Sequence, residues 1–134
     1  MNLENRTILI TGANRGIGRA LVEEALKRGV KRVYAGTRSS FEHSDKRVTP
    51  LTLDVTNAEQ IKRAAGEVDT LDILINNAGI AMYDDLTKPD VIEQHLAVNL
   101  FGPLNNKIFG VHLPMKIGVI VFGSCIVFIV SCLM

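Results

Sequence analysis

Three glycines at positions 12, 16 and 18 carry the clearest chemistry in the chain. They lie in T-I-L-I-T-G-A-N-R-G-I-G, residues 7 to 18, behind an apolar run and ahead of an amphipathic stretch. Gly12 permits a sharp exit from a strand, Gly16 lets the main chain approach a ligand, and Gly18 lets a helix close on the strand. The unpaired N–H groups and positive dipole end of that helix then face an anion. Such a turn cradles a dinucleotide pyrophosphate, and its candidate contacts are Thr11, Gly12, Asn14, Arg15, Gly16, Ile17 and Gly18. The spacing is G-x-x-x-G-x-G, distinct from the commoner G-x-G-x-x-G.

The second candidate group selects the nucleotide. A chain that reads an unphosphorylated ribose places an acid about 20 residues past the glycines. Here Thr37-Arg38-Ser39-Ser40 occupies that place. Arg38 pairs with a 2′-phosphate, the hydroxyls hydrogen-bond it, and Arg15 approaches from the glycine turn. The expectation is NADP(H) in preference to NAD(H); the bland alternative is that Arg15 and Arg38 are solvated surface charges. Asp54 and Val55 end a later strand, where a carboxylate accepts from the adenine amino group and Val55 packs the ring. The alternative for Asp54 is a cap on the turn into the next helix. Asn76, Ala78 and Gly79 follow a further strand, with Asn76 bracing the sheet and the Ala78-Gly79 backbone passing the cofactor ribose. Ligands of open α/β sheets bind at such carboxyl ends.

The elements that must position these residues alternate. Ile8 to Thr11 reads as a short buried parallel strand. A helix from Gly16 to Arg28 carries Ile17, Leu21 and Ala25 on one stripe, widened by Val22 and Leu26, and Gly29 ends it. Arg32 to Gly36 and Arg47 to Leu53 are the next strands. Thr56-Asn57-Ala58-Glu59 is a capping box opening a helix that fades near Gly66. Leu71 to Ile75 is a fourth strand. Thr87 and Asp90 frame Pro89 as another helix start, with Val91, Ile92, Leu96 and Leu100 expected inward. Strand–helix alternation from residue 7 to about 114 specifies a parallel sheet with helices on both faces.

Size and charge bound the rest. The 134 residues suffice for one domain with a real core. A net charge of +1 gives no footing for a nucleic-acid partner. Cys125 and Cys132 form no disulfide framework, no His/Cys cluster has metal spacing, and M-N-L-E-N-R opens no signal peptide. The expectation is a reduced, cytoplasmic setting without metal. Residues 1–116 read as the nucleotide-binding part and 117–134 as an apolar tail. That tail, Ile117 to Met134, holds eighteen uncharged residues. It reads as a fifth strand with an apolar extension, as a membrane-inserting tail, or as aberrant sequence. Gly118, Gly123 and the lack of a polar anchor beyond it weigh against the membrane.

Together these motifs resemble the short-chain dehydrogenase/reductase family. The match is T-G-A-N-R-G-I-G at 11 to 18, Asp54-Val55, N-N-A-G at 76 to 79, and Asn99 in V-N-L-F-G, covering residues 7 to about 104. The resemblance implies a Rossmann-type α/β fold, a doubly wound parallel sheet, here truncated after about five strands. It implies NAD(P)-dependent conversion of a small carbonyl/alcohol pair, with Asn99 as the active-site asparagine that kinks its helix and holds a water. The family's catalysis also uses a Ser, then a Tyr, then a Lys four after the Tyr. Neither Tyr34, followed by Arg38, nor Tyr83, followed by Thr87, supplies that pair. Taking Gly118 to Val121 as the fifth strand places Ser124 or Cys125 near the catalytic serine position. The sequence then stops before the Tyr is due. The expectation is a shortened reductase with little activity of its own. Its alternative is a non-catalytic nucleotide-binding or interaction half-domain, prone to self-association at an uncovered edge.

Overall fold

A computed structural model of the chain describes residues 2–80, 88–106, 117–122 and 126–130. Strand β1 (Thr7–Thr11), helix α1 (Gly16–Lys27), β2 (Arg32–Thr37), β3 (Val48–Thr52), α2 (Ala58–Glu67) and β4 (Ile73–Asn76) come first. After them come α3 (Pro89–Leu96), a π-helical turn (Ala97–Phe101), α4 (Gly102–Asn105), β5 (Ile117–Phe122) and β6 (Ile126–Val130). The strands form one sheet in the order β3-β2-β1-β4-β5-β6. The first five are mutually parallel, and β6 turns back antiparallel on β5. The chain therefore winds outward from β1 to β3, then crosses to the other side of β1 for β4. That reversal between β1 and β4 is where such sheets open a ligand crevice.

Strand periodicity divides the core. Ile8 and Ile10 of β1, Val33 and Ala35 of β2 and Ile73 of β4 pack against Val22, Ala25 and Leu26 of α1. The residues between them, Leu9, Tyr34 and Leu74, pack against Ile61, Ala64 and Ala65 of α2 on the opposite face. Successive side chains point to opposite faces, so a strand buried on both sides must be apolar throughout. The centre of β1, Ile8 to Ile10, meets that demand, and the buried threonines at its two ends flank it. Each large apolar side chain removed from water contributes about 1.5–3 kcal/mol. Pro50 lies in β3, an outer strand, where a missing N–H disrupts no inner ladder.

Helix ends follow local chemistry, with two departures from the sequence reading. Gly29 takes φ +76° behind α1, as a C′ glycine does. Pro89 occupies the first turn of α3 with Lys88 as N-cap. The cap of α2 is Asn57, not Thr56, and its side chain accepts from the Gln60 N–H at 3.0 Å. Thr56 is diverted because its N–H and hydroxyl both donate to Asp54 Oδ1. The second departure is α3. Ile92, Leu96 and Leu100 are exposed and Val91 is only partly covered, so the stripe expected to face inward buries no residue. Among the described residues, no helix is long and apolar enough to cross a membrane.

Candidate cofactor site

The carboxyl end of β1 is locked to the carboxyl end of β4. Thr11 is buried, and its hydroxyl oxygen accepts from the N–H groups of Asn77 (3.1 Å) and Ala78 (3.0 Å). The Asn77 Nδ2 amide donates to the main-chain carbonyls of Thr11 (3.0 Å) and Gly12 (3.2 Å). The sheet brace at this turn is therefore Asn77, one residue beyond the Asn76 expected to serve. Alternation along the strand explains the exchange, since neighbouring side chains leave opposite faces. Asn76 is buried and accepts instead from Asn106 Nδ2 at 2.7 Å, tying β4 to the end of α4.

Helix α1 closes tightly on this turn. A Cβ at Gly18 would stand 2.1 Å from the Gly12 carbonyl oxygen and 2.6 Å from Asn77 Nδ2. Gly16 has φ +53° and open space around it, so its backbone is approachable from solvent. The N-cap of α1 is Arg15, which makes no side-chain capping bond, and no acid stands in the first turn. A helix start usually recruits Ser, Thr, Asp or Asn to satisfy its first N–H groups. This one has no side-chain cap, and exposed arginines stand at its start, Arg15, and in its first turn, Arg19. Ile17, 57% exposed, stands at the same lip, and Asn14 lies half-buried in the turn.

The neighbouring strand ends supply the remaining candidates. The Ala13 N–H donates to the Gly36 carbonyl, so the glycine turn lies beside the end of β2. Thr37 is buried and its hydroxyl donates to the Ser39 carbonyl, holding the turn in which exposed Arg38 sits. Asp54 Oδ1 accepts from the Thr56 N–H and hydroxyl at 2.8 and 2.7 Å, which is the capping geometry. Val55 is buried, and its Cγ2 would lie 2.8 Å from a Cβ on Gly102. It thus packs under the start of α4. Asn99 lies within the π turn and grips the β4 exit loop at two points. Its Oδ1 accepts from the Ile80 N–H and its Nδ2 donates to the Ile80 carbonyl, both at 2.9 Å. Gly79 passes between, where a Cβ would sit 3.3 Å from Asn99 Oδ1. The local irregularity expected at Asn99 takes the form of the π turn itself.

Contacts thus tie Thr11, Gly12 and Gly18 to Asn77 and Ala78, and Asn99 to Gly79 and Ile80, with the end of β2 beside Ala13. Asp54 and Val55 stand farther out, at the end of β3. Ser124 and Cys125 lie outside the described residues, as does Tyr83. Among the described residues, no group of His, Cys, Asp and Glu is arranged to hold a metal. The structure adds two residues to the candidates, Asn77 and Asn106. Asn77 was within the quoted motif and hidden only by its neighbour. Asn106, buried beneath the sheet end, has no local signal at all.

The profile of the family described as short chain dehydrogenase matches residues 6–128. The chain belongs to that family. A short chain dehydrogenase of Burkholderia cenocepacia, solved in complex with NADP, superposes with a TM-score of 0.79 at 36% identity, over 84% of this chain and 50% of that one. Another from Leptospira borgpetersenii, solved with bound NAD+, gives 0.72 at 26% identity, over 81% and 45%. A pig protein named carbonyl reductase [NADPH] 2 is 36% identical over 108 residues, 75% of this chain and 43% of that protein. The chain spans between 26% and 43% of the length of such curated relatives. The Rossmann-type sheet and the oxidoreductase class of the family follow directly from these matches.

Proposed function

We propose that this chain is the NADP(H)-binding part of a reductase that interconverts a small carbonyl compound and its alcohol. Residues 1–116 form the nucleotide-binding part and 117–134 the apolar tail. The observation that carries the reading is the uncapped start of α1. It has open space at Gly16, no acid in the first turn, and arginines at 15 and 19. A dinucleotide pyrophosphate suits that arrangement, because main-chain N–H groups and the helix dipole both favour an anion there. Arg38, with Arg15, favours the 2′-phosphate, since guanidinium pairs with phosphate in a bidentate fashion. Relatives with either nucleotide are known, so the preference rests on these arginines.

The residues present fit the cofactor's several parts. Thr11 to Gly18 hold the pyrophosphate and Arg38 the 2′-phosphate. Asp54, whose Oδ1 caps the turn, would hold the adenine amino group, with Val55 bounding that region. The Ala78-Gly79 backbone lines the ribose, and Asn76 acts at one remove by anchoring α4. Asn99 holds the Gly79-Ile80 segment, and by sequence position Ser124 or Cys125 would serve as the family's catalytic serine. When bound, the nicotinamide supplies or accepts hydride. A proton donor at the substrate oxygen contributes roughly 10²–10⁴-fold, and no Tyr in this chain has a Lys four residues on. The chain by itself therefore binds NADP(H) weakly and turns over little. The exposed apolar side chains of α3, the π turn and α4 favour a second reading, a nucleotide-binding or interaction half-domain without catalysis.

Exposed Ile92, Leu96, Leu100, Phe101 and Leu104 favour self-association of the isolated chain. The cysteine usage suits a reducing, cytoplasmic setting. NADPH fluorescence titration, followed by NADPH oxidation with a panel of aldehydes and ketones, tests the proposal. Saturable NADPH binding with turnover near background is expected. Absence of binding to a folded chain overturns it. Sustained turnover would overturn the prediction of inactivity and eliminate the non-catalytic alternative.

A further inference from the structure

The segment joining β2 to β3, residues 38–47, is fastened along α1 at three successive levels. Phe41 packs against the core cluster that includes Val22, Ala25 and Leu26. His43 Nε2 meets Glu23 Oε1 at 3.0 Å, with the ring side chain only 10% exposed. Arg47 NH1 donates to the carbonyls of Leu26 (3.2 Å) and Val30 (3.4 Å) at the far end of the helix. The His43 Nδ1 atom accepts from the Asp45 N–H at 3.0 Å. The neutral ring that satisfies both contacts carries its proton on Nε2 and donates it to Glu23. Glu23 lies one turn beyond Arg19 on α1, four residues on. The segment begins at Arg38, two residues beyond the Gly36 carbonyl that receives the Ala13 N–H.

We propose that His43, acting through Glu23, is a positioning residue for nucleotide selection, holding the 38–47 segment so that Arg38 stays beside the Arg15 end of α1. This rests on the NADP(H) reading above. Exposed arginine is a long, flexible side chain, and its affinity for a phosphate depends on how little freedom its backbone must lose. The Thr37–Ser39 bond secures one side of Arg38, and the His43–Glu23 link secures the other, five residues on. Residues 39 to 44 form no main-chain-to-main-chain hydrogen bond among the described residues, so side chains do the fastening.

The test compares Kd for NADPH and NADH by fluorescence titration of the full chain and three variants. His43→Ala is expected to weaken NADPH about three- to tenfold, the worth of one ordinary hydrogen bond, while moving NADH less than about twofold. His43→Gln, whose amide nitrogen reproduces the Nε2 donor, is expected to restore most of the NADPH affinity. Glu23→Ala changes a half-exposed carboxylate, guards against misfolding of the histidine variant, and is expected to repeat the selective loss. A parallel rise in both Kd values, or no change in either, overturns the positioning role while leaving the cofactor reading intact. A parent chain that shows no preference for NADPH overturns both.

Discussion

At the turn between β1 and α1, the Asn77 amide and Thr11 hydroxyl find main-chain partners from another strand, and Gly18 admits no side chain. Along α3, the π turn and α4, the contrast is plain. No residue of α3 is buried, and Leu96, Leu100, Phe101 and Leu104 face outward. The first region is completed by contacts within the chain, whereas the second presents apolar surface. On the proposed reading, nucleotide binding draws on the first, locally completed geometry. Asn99 is the joint between the two regions, reaching from the π turn to Ile80.

Substitutions ought to hurt in proportion to that difference. Gly18→Val should cost about 3 kcal/mol or more, because its Cβ falls on a main-chain oxygen that cannot yield without opening the turn. Urea denaturation measures it, and a loss below about 1 kcal/mol would mean the helix has room to withdraw. Asn77→Ala should cost about 2 kcal/mol by leaving the Thr11 and Gly12 carbonyls without their amide donor. On the other side, Leu96→Gln should alter stability by less than about 0.5 kcal/mol and reduce concentration-dependent association in light scattering. Equal costs at Asn77 and Leu96 would erase the contrast.

Function sharpens the comparison further. Arg38→Ala should raise the Kd for NADPH about tenfold or more, the span of a hydrogen bond to a charged group, and leave NADH nearly unchanged. The smallest effect concerns acid. Asp45 receives hydrogen bonds from the Arg47 side chain and N–H, which hold its carboxyl down at about 2 from an ordinary 3.8. A carboxyl with a depressed folded-state pKa stabilises fully above its unfolded value, and the contribution is lost as pH falls through the folded one. Asp45→Asn should thus flatten the fall in melting temperature between about pH 4 and pH 2 and matter least below it.

Much of the first region is legible because its chemistry is local. The glycine spacing, the apolar run before it and the stop at Gly29 each act within a few residues, so β1, α1 and their turn lie where spacing places them. Assigning the brace to Asn76 missed by one residue, since only the direction of β4's side chains distinguishes it from Asn77. The cap of α2 shifted similarly when Asp54 captured Thr56. The outward stripe of α3 is a different matter. Apolar periodicity records which side of a helix is greasy and says nothing about what lies against it. Asn106 and the His43–Glu23 link join residues 30 and 20 positions apart, beyond the reach of any short-range pattern.

The most direct test is a backbone amide NMR titration of the isotopically labelled chain with NADPH. The amides of Gly16, Ile17 and Gly18 should shift first and furthest, saturating together with those of Arg38 and Ser39. Saturable shifts confined to other parts of the sheet, with the start of α1 unmoved, would contradict the placement of the pyrophosphate there.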